Sequence, residues 1–139
     1  MRESSLWAWL SKPLPCLDMT RVENLLDEGT PDVEGCLSGA QFWCELKVAD
    51  RPARPTTAVR TQAPVKQSQI DWLKRRWLAC GNAWLLVQVG THHEARRYLL
   101  PGYLAHLVRD GIPELELSRL CASDPDGDAE SIIRRMTRH

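Results

Sequence analysis

The stretch that decides the fold runs from residue 41 to residue 48 and reads Gln41-Phe42-Trp43-Cys44-Glu45-Leu46-Lys47-Val48. Successive side chains of a strand point to opposite faces of its sheet, so this stretch predicts a strand with two unlike faces. The apolar face consists of Phe42, Cys44, Leu46 and Val48, and the other face consists of Gln41, Trp43, Glu45 and Lys47. Glu45 and Lys47 are therefore expected to lie side by side, while Leu46 anchors the strand in the core.

The segments around this strand predict further elements of a sheet. Residues 32–36 read as a second strand, joined to the first by a Ser38-Gly39 turn as a hairpin. Residues 83–89 are nearly all apolar, which is typical of a central strand covered on both sides. Residues 96–100 predict one more strand. The prolines and arginines between residues 50 and 64 predict a loop.

Helices are expected on both sides of these strands. A short apolar helix is predicted over residues 5–10, and another from Arg21, because Thr20 and Glu23 have capping-box spacing. Gly29 is expected to end that helix in a left-handed cap. Residues 66–79 predict a helix that ends at Gly81 and has the buried stripe Ile70, Leu73, Trp77 and Cys80. Shorter helices are expected over residues 102–109 and 129–135. The order of elements predicts one α/β domain over residues 1–139, with a central mixed sheet flanked by helices.

Composition is ordinary for a globular protein, and the charge distribution says more than the net charge. Of the 139 residues, 43% are hydrophobic, and 18 basic side chains balance 18 acidic ones. Residues 22–34 are acidic and residues 51–76 are mostly basic, which would suit a metal site beside a phosphate-binding surface. The alternative is that these acidic and basic residues are only the solvent-exposed faces of two helices and a loop. The five cysteines lack zinc-ligand spacing, and no signal or membrane segment is recognised, so a reduced, cytoplasmic location is expected.

Glu45 and Lys47, with Asp32 from the preceding strand, suggest phosphodiester chemistry. Asp32 and Glu45 offer the oxygen ligands that Mg²⁺ prefers, for one or two cations, and the backbone carbonyl of Leu46 is a further candidate ligand. Lys47 would stabilise charge on the phosphate or orient the attacking water. The alternative for Glu45 and Lys47 is a cross-strand salt bridge on a half-exposed sheet.

These residues carry a resemblance to a known family. Pro31-Asp32, a spacer of twelve residues, and Glu45-Leu46-Lys47 resemble the PD-(D/E)xK signature of the restriction-endonuclease-like nucleases. The flanking segments resemble the stand-alone VRR-NUC domains of bacteriophages and prophages, over roughly residues 21–100. Those segments are Arg21-Val22-Glu23-Asn24, Gly29-Thr30-Pro31-Asp32-Val33, Phe42-Trp43-Cys44-Glu45-Leu46-Lys47, Gln69-Ile70-Asp71-Trp72-Leu73 and Gly81-Asn82-Ala83-Trp84-Leu85-Leu86.

The resemblance implies a restriction-endonuclease-like fold and a set of site residues. Glu23 would complete the metal site with Asp32 and Glu45, Lys47 would be the catalytic lysine, and Gln69 would be a polar residue turned toward the site. The implied activity is an endodeoxyribonuclease that uses Mg²⁺ or Mn²⁺. It would act as a homodimer on branched DNA such as Holliday junctions, in a bacterial host cytosol. The alternative for Glu23 is a simple capping role. The alternative for Gln69 is an exposed position on the surface of its helix.

Three further points stay open from the sequence. The basic residues expected to contact DNA are Arg51, Arg54, Arg60, Lys66 and Lys74. Trp72 lies off the predicted buried stripe and is expected at a dimer contact or on the surface, whereas Trp77 and Trp84 are expected in the core. The rival functions are a DNA-binding module with little cleavage and a phage protein-interaction protein.

Overall fold

A five-stranded mixed sheet organises the part of the chain that the computed structural model describes, residues 2–22 and 28–138. The strands are β1 Leu17–Arg21, β2 Val33–Leu37, β3 Ala40–Ala49, β4 Ala58–Val59, β5 Ala83–Val89, β6 Arg96–Pro101 and β7 Ile112–Pro113. The large sheet has the order β1-β2-β3-β5-β6, in which β3 and β5 are parallel and the other neighbours are antiparallel. Strands β4 and β7 form a separate antiparallel pair.

Helices cover both faces of the sheet. The α-helices are α1 Glu3–Leu10, α2 Gln67–Cys80, α3 Ala105–Asp110, α4 Glu114–Leu120 and α5 Ala129–Thr137, with short 3₁₀ turns at His92–Glu94 and Gly102–Leu104. One apolar cluster joins α1 and α5 to the Phe42–Val48 face of β3. The other joins α2, α3 and α4 to the opposite face of the sheet. The predicted α/β architecture, a central mixed sheet flanked by helices, is confirmed.

The alternation predicted for β3 is confirmed, but its second face is not half-exposed. Phe42, Cys44 and Leu46 are fully buried on the first face. On the other face Glu45 and Lys47 are only 1% and 4% exposed, because the sheet is covered there as well. The alternative of a surface salt bridge is therefore wrong.

The helix predicted to start at Arg21 is wrong at its first residue. Arg21 ends β1 and pairs with Val33, while Thr20 pairs with Glu34. The capping-box spacing misled because a Thr-x-x-Glu pattern is short and the pairing with β2 satisfies the backbone instead. Gly29 does not adopt the left-handed conformation expected of a cap. Val22 and Glu28 are not helical either, and residues 23–27 of the predicted helix, including Glu23, lie outside the described residues.

The helix predicted over residues 66–79 is confirmed with shifted bounds, and its buried stripe needs correction. Gly81 caps it with a left-handed backbone, φ 67°, as expected. Trp72 is 6% exposed, not a surface ring, because it packs edge-on against Trp43. Cys80 is exposed, and Trp77 is half-buried against the fully packed Trp84.

The remaining predictions are largely confirmed. Strand β5 has the predicted bounds, and α5 extends two residues past the prediction. Within the predicted loop, Ala58 and Val59 pair with β7, and α4 was not predicted. None of the described helices is both long and apolar enough to cross a membrane.

Candidate active site

The candidate site lies where β2 and β3 separate. Their pairing ends at Val33 and Cys44, so the second half of β3 has no β2 neighbour. Beyond that point a side chain replaces β2 as the acceptor for β3. The Oδ2 atom of Asp32, just before β2, accepts a hydrogen bond of 3.0 Å from the Leu46 N–H. The Asp32 carbonyl accepts a 2.6 Å bond from the Val22 N–H. The carboxylate is thereby held beside residue 46, between Glu45 and Lys47. Metal ligation by the Leu46 carbonyl stays a prediction.

Glu45 is held in the site by a hydrogen bond from α2. Its Oε2 accepts a 3.0 Å hydrogen bond from Gln69 Nε2, and Gln69 Oε1 accepts a 2.9 Å bond from the Lys66 N–H at the start of α2. Gln69 is thus directed at the site, as predicted, and its amide orientation is fixed by both contacts. Glu45 Oε1 is buried and accepts no hydrogen bond from a donor group of the described residues, while the Asp32 carboxylate is close enough to share a proton with Glu45. Burial and the neighbouring Asp32 carboxylate together raise the pKa of Glu45 to about 10.

Lys47 lies next to Glu45 on the same face and is held by two oxygen atoms. Its Nζ donates a 3.4 Å hydrogen bond to the Pro64 carbonyl and lies 3.9 Å from Glu3 Oε1. An ammonium group that is 4% exposed keeps few water contacts, so its charge acts over a short range with little screening. This is the setting in which a lysine best stabilises an anionic phosphate.

Glu3 is a candidate site residue that no sequence motif indicated. It is the first residue of α1, which Leu6 and Leu10 anchor in the core. Burial raises the pKa of Glu3, the nearby Asp32 adds to this, and Lys47 opposes it. Glu3 Oε1 is buried and has no hydrogen-bond partner. The only signal in the sequence was that Glu3 precedes Leu6 and Leu10 at helical spacing, which places it at one end of a buried stripe. Glu23, predicted for this role, lies outside the described residues.

The residues present fit a hard divalent cation. Asp32, Glu45 and Glu3 supply carboxylate oxygens, the ligand type that Mg²⁺ and Mn²⁺ prefer. The unpartnered Oε1 of Glu45 is the observation that tests this fit, because a buried carboxylate oxygen normally has a donor or a cation beside it. Within residues 2–22 and 28–138, however, no three acidic, histidine or cysteine side chains are already close enough to form a complete metal site.

Gly29 sets how closely the segment before Asp32 approaches α2. A Cβ atom on Gly29 would lie 2.6 Å from the Ser68 carbonyl oxygen and 3.2 Å from Trp72 Cβ. The bare Cα therefore lets this segment lie directly on the helix turn that carries Gln69. Asp32 and Glu45 thus take their positions from the same part of α2.

The predicted DNA-contacting residues differ in how many contacts they already make within the protein. Arg51 donates to both carboxylate oxygens of Glu114, at 2.9 and 3.0 Å, and to the carbonyls of Glu94 and Val89. Arg60 donates to the Asp110 carbonyl. Arg54, Lys66 and Lys74 are exposed, and Lys66 lies beside the site through its contact with Gln69. Their binding to DNA stays a prediction. A large surface hollow beside Arg51 and Glu114 is lined by none of the predicted catalytic residues.

Comparison with known proteins gives a likeness of fold. No protein-family model matches the chain, and no curated protein matches it. Among the solved structures that match is Hjc, a Holliday junction resolvase from the archaeal hyperthermophile Archaeoglobus fulgidus. The two chains are 13% identical, with a TM-score of 0.47 over 84% of this chain and 95% of that chain. The site assignments depend on the geometry described above.

Proposed function

We propose that the protein is a metal-dependent endonuclease that hydrolyses DNA phosphodiester bonds. The observation that carries the proposal is Glu45, a carboxylate that is 1% exposed, held by Gln69 through one oxygen and left without a partner at the other. A second carboxylate, Asp32, and a buried ammonium group, Lys47, are both close enough to act on it electrostatically. A structural carboxylate would have both oxygens satisfied. This one is arranged to bind a cation.

Each side chain has a separate task in this reaction. Asp32 and Glu45 bind the metal, and Gln69 keeps the Glu45 carboxylate in one orientation. A bound Mg²⁺ or Mn²⁺ would polarise the scissile phosphate and lower the pKa of a water ligand. Lys47 stabilises the negative charge that builds up on the phosphate oxygens. The Pro64 carbonyl holds the Lys47 ammonium in place before substrate arrives.

Glu3 supplies the third carboxylate in this proposal. Its Oε1, which has no hydrogen bond among the described residues, lies 3.9 Å from Lys47 Nζ, and the carboxylates of Asp32 and Glu45 are close enough to interact with it electrostatically. Substitution of Glu3 by Gln is therefore expected to weaken metal binding. Glu23 remains a candidate for the same task, and Glu23→Gln is the matching variant.

The finer description of the substrate depends on the resemblance to stand-alone VRR-NUC domains. It favours branched DNA, including four-way junctions, and a homodimer whose two sites cut two strands symmetrically. It also favours a phage or prophage origin, with action in the bacterial cytosol. The two rivals are a DNA-binding module with little cleavage and a protein-interaction protein. The partnerless Glu45 oxygen favours the enzyme over both.

One assay separates the three functions. Purified protein is incubated with labelled linear duplex, flap and four-way-junction DNA in Mg²⁺, Mn²⁺ or EDTA. We expect cleavage in either metal, none in EDTA, and the highest rate on the four-way junction. Asp32→Ala, Glu45→Ala and Lys47→Ala should abolish cleavage while circular dichroism shows a retained fold.

The alternative outcomes identify the rivals. Binding without cleavage in both metals would favour the binding module, and no DNA binding at low salt would favour the interaction protein. Cleavage that survives all three substitutions would place the active site elsewhere.

A further inference from the structure

An arginine outside the predicted DNA-binding set is held in position by two tryptophans. The guanidinium carbon of Arg76 lies 4.7 Å from the Trp72 ring centroid and 5.8 Å from that of Trp43. The two indoles are themselves in edge contact, with ring centroids 5.2 Å apart. Attraction to the ring faces restricts the guanidinium without using its N–H groups.

These N–H groups remain available. Among the residues that the structure describes, no carboxylate lies within ion-pairing distance of Arg76, and no acceptor forms a hydrogen bond with it. Other arginines of the chain differ in this respect: Arg51, Arg96 and Arg119 each pair with a carboxylate. Arg76 is half-buried, and none of the described carboxylates pairs with its charge.

The position of Arg76 relative to the candidate site follows from two elements. Trp43 precedes Glu45 by two residues on the same face of β3, and Trp72 follows Gln69 by one helical turn on α2. Since Gln69 contacts Glu45 while Arg76 contacts Trp43, α2 runs in the opposite direction to β3. Seven residues separate Gln69 from Arg76, which amounts to about 10 Å along the helix. A phosphate held by Arg76 would therefore lie close to a phosphate held at the candidate site.

We propose that Arg76, held over Trp43 and Trp72, is a preformed binding site for one DNA backbone phosphate close to the phosphate that is cut. The proposal depends on the proposed nuclease function and adds a substrate contact to it. A guanidinium with free N–H groups can bind a phosphate through two parallel hydrogen bonds. Because the two indoles already restrict it, little side-chain entropy is lost on binding.

Arg76 could instead serve only to cover the two indoles. The two roles make different predictions, because covering requires the stem of the side chain while phosphate binding requires its charge. Arg76→Gln keeps most of the stem and removes the charge. Arg76→Lys keeps the charge and loses the planar fork.

Binding to a four-way junction is measured in EDTA, where no cleavage is expected, as a function of salt. We expect Arg76→Gln to weaken binding about tenfold and to reduce the slope of log K against log salt by about 0.9, the value of one phosphate contact. Arg76→Lys should keep most of the slope. Arg119→Gln, at an exposed arginine on α4 that pairs with Glu116, is the control and should change neither quantity.

A second measurement uses the unaltered protein, so it does not depend on the folding of any variant. Neutral methylphosphonates replace single phosphates one to five nucleotides from the cut. We expect one of these positions to show the largest loss of affinity, and no further loss at that position in Arg76→Gln.

Two results would overturn the proposal. The first is an unchanged salt slope in folded Arg76→Gln, with no methylphosphonate position that distinguishes it from the unaltered protein. The second is the absence of DNA binding by the unaltered protein, which would remove the proposed nuclease function as well. The two failures are distinguishable, because in the first the unaltered protein still binds and cuts DNA.

Discussion

Two groups of partly or fully buried charges lie in this fold, and they differ in whether their oxygens are satisfied. Around Glu114, the bidentate contact from Arg51 and the hydroxyl of Tyr98 occupy both carboxylate oxygens. Burial alone would raise the pKa of Glu114, but these hydrogen bonds outweigh it, and the pKa lies below its usual value. Around Glu45, Gln69 occupies one oxygen, the other has no partner, and the pKa rises to about 10.

The comparison distinguishes a structural charge network from a site that needs a ligand. The Glu114 group ties the end of β3 to α4 and needs nothing more for its stability. The Glu45 group holds carboxylates close together without enough positive charge among the described residues, so it is stable only with a proton or a cation. This difference, more than the presence of acidic residues, marks the candidate active site.

The largest expected effect distinguishes the buried Lys47 from the partly exposed Arg51. Lys47→Met should reduce cleavage by about 100- to 1000-fold, because it removes charge stabilisation from the reacting phosphate. Mn²⁺ binding should be retained, since Lys47 is not a metal ligand. Arg51→Met should instead lower the melting temperature, because it leaves Glu114 without its main donor. Loss of Mn²⁺ binding in Lys47→Met would contradict this division.

A smaller effect is expected on Mn²⁺ affinity, and it should differ between two glycines that both lie against α2. Gly29→Ala should weaken Mn²⁺ binding by about 10- to 100-fold, since it pushes the Asp32 segment away from the turn that carries Gln69. Gly102→Ala is the matched control, because its Cβ would lie 2.8 Å from the Leu73 carbonyl of the same helix, beyond the site. It should lower stability and leave the affinity for Mn²⁺ unchanged. Isothermal titration and thermal melting read the two quantities separately. Equal affinities in both variants would mean that Gly29 does not position the site.

Glutamine substitutions at the two glutamates should have opposite effects on stability. Glu114→Gln should destabilise the protein by about 1–2 kcal/mol, because it leaves charged and hydroxyl donors without their acceptor. Glu45→Gln should stabilise the metal-free protein, because it removes a carboxylate that is difficult to ionise and keeps the hydrogen bond to Gln69. Chemical denaturation in EDTA measures both changes. If both variants were destabilised equally, Glu45 would be an ordinary structural residue.

The smallest effect, counted per pH unit, is the pH dependence of the unfolding free energy of the metal-free protein. The folded state holds a proton on Glu45 up to about pH 10, whereas the unfolded chain releases it near 4.5. Unfolding free energy should therefore fall as pH rises between these values, by at most about 1.4 kcal/mol per pH unit. Glu114, with its lowered pKa, contributes stability that is lost as pH falls below the usual range. Glu45→Gln or saturating Mn²⁺ should flatten the alkaline slope, and Glu114→Gln should reduce the acidic one. An alkaline slope that is the same in Glu45→Gln would contradict the assignment.

Much of the site could be predicted from local sequence. Strand alternation places Glu45 and Lys47 on one face, and the helical spacing of Gln69 and Leu73 allows Gln69 to face the sheet. The predictions that were wrong concerned features that depend on long-range packing. The sequence did not reveal that α2 covers the Glu45 face, so the burial of Glu45, Lys47 and Trp72 was missed.

Two other features also required the folded chain. Thr20 and Arg21 have a helix-start spacing, but pairing with β2 makes them a strand. Glu3 approaches Lys47 across 44 positions of sequence, and no short motif marks it. A contact of that separation depends on how α1 docks on the sheet through Leu6 and Leu10.

Direct titration of Mn²⁺ into metal-free protein tests the central claim, that the partnerless Glu45 oxygen marks a cation site. Electron paramagnetic resonance of free Mn²⁺ measures binding without DNA and without turnover. The unaltered protein and Glu114→Gln are expected to bind Mn²⁺ with similar affinity, and Glu45→Gln is expected to lose it by at least about tenfold. Binding that is absent from the unaltered protein, or equal in Glu45→Gln, would contradict the account.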